Sequence, residues 1–137
     1  MRVTGECRIK DDFEPIFDKM VGADGIILAS PVYFGSATPQ IKAVIDRAGY
    51  LSMGPKGRVF ENKVGGPLVV ARRAGHNFTL AQLMFFFLHQ GMIVPGSTYW
   101  NIAFGRHKGE VAKDEEGLET ARNFGRKMVW LIRRIKD

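Results

Sequence analysis

Cysteine is nearly absent from this sequence. One thiol, Cys7, stands in 137 residues. That excludes an intrachain disulfide, and it excludes a zinc or iron–sulfur centre ligated by this chain's cysteines alone. Long apolar runs are missing too. The longest, "LMFFFL" at residues 83–88, falls far short of the roughly 20 residues that a membrane-spanning helix needs. The opening residues, "MRVTGECRIKDD", hold no apolar segment of signal-peptide type. There are no internal repeats and no low-complexity tract. A single domain over residues 1–137 is expected, in the cytoplasm and with no membrane partner. Acidic residues are in the minority, 14 against 20 Lys and Arg, for a net charge of +6. Such a balance suits nucleic acid, an anionic cofactor or an acidic substrate. Nucleic acid is the poorest match, because no aromatic interleaving or recognition motif accompanies the charge.

What is present alternates between helix and strand. Asp11 or Asp12 caps a helix with a buried stripe of Phe13, Ile16, Phe17 and Met20, ending near Gly22. "GIILAS" (25–30) is a continuous apolar run and predicts a parallel strand covered on both faces. Thr38 and Pro39 start a second helix with Ile41, Val44, Ile45 and Ala48 inward, closed by Gly49. "VGGPLVVA" (64–71) predicts the next strand. Pro67 cannot donate to a ladder, which restricts pairing to Leu68–Ala71. Asn77 caps a helix over residues 78–90, and Gly91 ends it. "MIVPGSTYW" (92–100) predicts a third strand, and residues 101–113 a loop. A final amphipathic helix spans about residues 114–136, its basic side in solvent. The pattern is α/β with a doubly wound parallel sheet.

Ligands of such sheets bind beyond the carboxyl ends of the strands. Two loops lie there. In "SPVYFGS" (30–36), Ser30 and Ser36 carry hydroxyls and Val32 to Ser36 offer backbone N–H groups. Pro31 stiffens the turn, and Gly35 permits close approach of a ligand. Tyr33 and Phe34 present faces or edges to a planar ring, although two rings would equally plug the end of the core. In "RRAGHN" (72–77), Arg72 and Arg73 bring cations, Gly75 a flexible point and Asn77 an amide. Those cations suit an electron-rich ring or a phosphate, or a solvated basic turn. His76 fits a helix-start surface residue better than a general base. No catalytic residue and no metal ligand can be singled out. The helix at residues 78–90 is apolar nearly all round. A chain this small has little interior to hide it, so an oligomer interface is expected.

"ADGIILASPVYFGSATPQIKAVIDRAG", with "KVGGPLVVARRAGHN", "FFFLHQGMIVPGS" and "DEEGLETARNFGRKM", resembles the flavodoxin-like NAD(P)H-dependent FMN reductases, including the iron–sulfur flavoproteins. The resemblance runs from about residue 6 to the end. It implies a flavodoxin-like three-layer sheet, FMN as cofactor, NAD(P)H as co-substrate and a dimer or tetramer. Carried over by position, Ser30, Pro31, Val32, Tyr33, Phe34, Gly35 and Ser36 would line the flavin ring. Arg72, Arg73, Gly75, His76 and Asn77 would approach it from the neighbouring strand end. The implied chemistry is hydride transfer from NAD(P)H to the flavin, with electrons passed onward.

Two departures qualify the resemblance. Only Cys7 matches the cysteine run of the iron–sulfur members, so no cluster is expected on this chain alone. The family's first strand, phosphate-binding loop, helix and second strand have no counterpart, which leaves strands 3, 4 and 5 with their helices. The implied protein is then an FMN-binding oxidoreductase completed by a second chain, an identical subunit or a separate polypeptide. The alternative is a catalytically inactive, truncated assembly or regulatory subunit.

Overall fold

The computed structural model describes Cys7, residues 9–54 and residues 57–136. In chain order the elements are α1 (Phe13–Gly22), β1 (Gly25–Pro31), α2 (Pro39–Ser52), β2 (Val64–Ala71), α3 (His76–His89), β3 (Ile102–Phe104), a short 3-10 turn (Glu110–Lys113) and α4 (Glu115–Lys136). The three strands form one parallel sheet in the order β1-β2-β3. The α/β flavodoxin-like class expected from the sequence is the one observed.

Helices α1, α2 and α3 pack on one sheet face. Their core joins Phe13, Ile26, Leu28, Ala48, Leu51, Phe60, Phe86 and Phe87, and Ala37, Val69, Leu83 and Ile102 continue it toward β3. Helix α4 packs on the other face, with Phe124 and Met128 against Val64. Two adjacent glycines in β2 make both contacts possible. A Cβ on Gly65 would fall 2.7 Å from Phe87 and from the Ile26 carbonyl, and one on Gly66 would fall 2.8 Å from the Phe124 ring. Both distances are inside van der Waals contact, so each phenyl ring occupies the place of a missing side chain.

Several expectations need correction. Pro67 does not shorten its strand, for Val64–Val70 pairs with β1 throughout. The N–H groups of Gly65 and Val69 point the other way, to the Ile93 and Asn101 carbonyls. Pro67 lies between them, facing the gap where residues 94–100 leave the sheet, so its missing donor breaks no bond. The third strand is not at 92–100. Only Ile93 makes an isolated bridge there, to Val64, and the strand proper is Ile102–Phe104, within the expected loop. Pro95 and Gly96 interrupt the run before it can pair further. Helix α2 runs past Gly49 to Ser52, because Leu51 and Ser52 are buried and reward another turn. Helix α3 is not capped by Asn77. It starts at His76, with Gly75 at the cap position in the left-handed region, φ 85°. Ile16 is exposed in place of lying in the α1 stripe, and β1 is not covered on both faces.

Outside the core, α1 is tied down at both ends. Both Asp11 carboxylate oxygens accept from the Arg47 guanidinium of α2 at 2.7 Å. Arg47 also lies over the Phe13 ring, 4.0 Å from its centroid. This bidentate hydrogen bond holds the Asp11 carboxyl below its ordinary value. At the other end, the Lys63 ammonium donates to the Val21 and Ala23 carbonyls at 2.8 and 2.6 Å, a cation where the helix dipole is negative.

Candidate functional site

The two loops singled out in the sequence meet at the carboxyl ends of β1 and β2. Beyond Pro31, Val32 donates to the Val70 carbonyl of β2. Tyr33 and Ser36 then exchange backbone hydrogen bonds at 2.9 and 3.1 Å. The two residues between them, Phe34 and Gly35, both have positive φ, 50° and 79°. This is the two-residue type I′ turn, for which Asn-Gly is the unstrained choice. A phenylalanine at its first central position is backbone strain, and the ring gains no burial in return: Phe34 is fully exposed and Tyr33 is 59% exposed. The rings do not plug the core.

Hydrogen bonding decides which groups remain for a ligand. The Ser30 hydroxyl is buried, donates to the Pro31 carbonyl at 2.8 Å and accepts from the Thr38 N–H at 3.0 Å. It braces the loop from beneath. The Ser36 hydroxyl donates to Gln82 Oε1 at 2.9 Å, and the Ala37 N–H donates to the same oxygen at 2.9 Å. Gln82 of α3 therefore clamps the loop from the side. Of the backbone N–H groups from Val32 to Ser36, those of Phe34 and Gly35 have no partner among the described residues. Sequence alone gives little reason to single out Gln82. Its one signal was being the only amide within the apolar run of α3.

The second loop touches the first through glycine. A Cβ on Gly75 would fall 2.9 Å from the Gly35 Cα and 2.9 Å from Val32. Only a hydrogen at Gly75 lets the loops close, and φ 85° independently favours glycine there. Arg72, Arg73 and Asn77 are exposed, and neither arginine forms an ion pair among the described residues. His76 faces away from the first loop. Its ring meets Phe104 edge-on at 5.1 Å, and its Nδ1 is buried without a partner.

Among the described residues the site is thus a strained, braced turn carrying two exposed rings and two unpartnered N–H groups, beside two unpaired cations. The sequence profile of NADPH-dependent FMN reductases matches residues 2–107. The chain belongs to the NADPH-dependent FMN reductase family. An iron–sulfur flavoprotein of Methanocaldococcus jannaschii is 42% identical over 139 residues, which cover 96% of this chain and 70% of the relative. An iron–sulfur flavoprotein of Methanosarcina thermophila is 35% identical over 133 residues, 95% of this chain and 67% of that one. Among solved structures, the WrbA-like flavodoxin of Agrobacterium tumefaciens superposes with a TM-score of 0.72 at 22% identity, covering 88% of this chain and 73% of its own. Family and fold agree on a flavodoxin-like member of a flavin-dependent reductase family. No helix among the described residues is long and apolar enough to cross a membrane.

Proposed function

We propose that the chain is an FMN-binding oxidoreductase that takes hydride from NAD(P)H and passes electrons onward. The observation that carries this reading is the Phe34–Gly35 turn. Strain at an exposed aromatic persists where the surroundings over-determine it and something uses it. Here Gln82, Ser30 and Gly75 supply the over-determination, and a flat ring against Tyr33 and Phe34 would supply the use. The N–H groups of Phe34 and Gly35 suit ring carbonyl or imine acceptors, and Arg72 and Arg73 suit the negative charge of a reduced ring. Bound there, FMN would supply the hydride-accepting chemistry. The chain's own part is to fix the ring's position, cover one face and set the local charge.

We further propose that a second polypeptide completes the protein, either another copy or a separate chain. β1 pairs only with β2 among the described residues. Ile27 of β1 lies on the α4 face and is still 45% exposed. An unpaired edge with apolar side chains attracts another strand. On α3, Phe78, Phe85 and Leu88 are exposed, an apolar surface suited to contact between identical subunits. A cytoplasmic location follows from this reading.

The test is an absorption spectrum of protein reconstituted with FMN, taken with solution mass and with NAD(P)H oxidation. Bound flavin, an assembly larger than one chain and oxidation proportional to protein are expected. Colourless protein that neither binds added FMN nor oxidises NAD(P)H would overturn the proposal and leave an assembly or regulatory subunit.

A further inference from the structure

A cavity of about 220 Å³ lies between the start of α3, the end of β3 and the first turns of α4. It shares no residue with the Phe34 turn. Four rings line it: His76, Tyr99, Trp100 and Phe104. The Tyr99 and Trp100 rings lie 5.0 Å apart with a 43° tilt, and both are more than half exposed. Two carboxylates, Asp114 and Glu116, complete the lining, and no Lys or Arg among the described residues contributes to it.

That sign runs against the rest of the molecule. The chain carries +6, yet this cavity is acidic. The Asp114 carboxylate has structural work as well. It accepts from the Phe104 N–H at 2.6 Å and, as cap of α4, from the Gly117 N–H at 3.0 Å. Its charge still faces the cavity wall, and Glu116 has no hydrogen-bond or ion-pair partner among the described residues. Aromatic faces attract cations through their quadrupole, and a carboxylate adds Coulombic attraction of the same sense. An anion such as a phosphate would meet two carboxylates and, among the described residues, no Lys or Arg.

We propose that this cavity binds a small planar organic cation, a single N-alkylated pyridinium-type ring. The volume suits one ring, Tyr99 and Trp100 each offer an aromatic face, and Asp114 with Glu116 give the charge. The inference is independent of the flavin reading, because its residues and its ligand's sign both differ.

Trp100 makes the test direct. In a Trp130→Phe background it is the sole tryptophan. Titration with 1-methylnicotinamide should quench its fluorescence saturably, with amplitude lost at constant lifetime. Neutral nicotinamide should compete at least threefold more weakly. Glu116→Gln should weaken the cation about three- to fivefold, the scale of one exposed cation–π or charge contact. Glu119→Gln makes the same charge change one turn away, outside the cavity, and should leave affinity unchanged. Tyr99→Leu, which removes a wall and no charge, should weaken the cation by a similar factor. Purely collisional quenching, equal competition by the neutral ring, or equal effects of Glu116→Gln and Glu119→Gln would each overturn the proposal.

Discussion

At Phe34 two demands compete. The backbone needs a residue that accepts φ 50°, and the site needs a ring. A left-handed conformation costs a non-glycine residue about 1–2 kcal/mol. Phe34→Asn should therefore raise stability by about 1 kcal/mol, seen as a higher denaturant midpoint. The same variant should weaken FMN about tenfold by losing ring contact, seen by flavin fluorescence titration. Gln82 shows a complementary dependence. It touches neither ring, but its Oε1 holds the Ser36 hydroxyl and the Ala37 N–H. Gln82→Leu removes two hydrogen bonds worth about 1 kcal/mol each. FMN affinity should fall about tenfold, while far-UV dichroism stays unchanged. The sequence announced the rings of "SPVYFGS" and the cations of "RRAGHN". It could not announce which hydroxyls were already committed, because Gln82 is 46 residues from Ser36 and meets it only after α3 folds back.

Among the elements, local signals succeeded where a strong cap or apolar period was present. Thr38 accepts from the Ile41 N–H, and α2 begins where Thr-Pro places it. They failed where neighbours decided. Pro67 looked incompatible with an interior strand until its missing N–H proved to face a gap. The run 92–100 had the composition of a strand, but pairing passed to Ile102–Phe104. There a Cβ on Gly117 would fall 2.8 Å from the Ala103 Cβ, so the glycine is what lets α4 close on β3. The tie between Asp11 and Arg47 joins α1 to α2 and carries a pH signature. The folded-state pKa of Asp11 lies below its ordinary 3.8. Its contribution is thus complete above that value and is lost as pH falls below it. Asp11→Asn should flatten the acid limb of the stability–pH profile below about pH 4, measured by denaturant midpoints, with little change in slope above about pH 6.

For the whole molecule, the decisive surfaces are those left uncovered. The apolar excess of α3 predicted burial on more than one side, and in the single chain one side stays open at Phe78, Phe85 and Leu88. Phe85→Glu places a charge there without touching the buried Phe86 and Phe87. It should shift the solution mass toward a single chain by light scattering while changing the melting of the separated subunit little. An unchanged mass would move the subunit contact elsewhere, to the open edge of β1 being the next candidate. By itself the sequence determined the alternation of helix and strand, the parallel sheet and the two loops at its carboxyl end. Those follow from apolar periodicity and turn chemistry, which act within a few residues. Only the tertiary structure decided the strand register, the glycine contact that closes the loops, the clamp by Gln82 and the acidic aromatic cavity. Each of these joins residues distant in the chain, and their distances are set by packing.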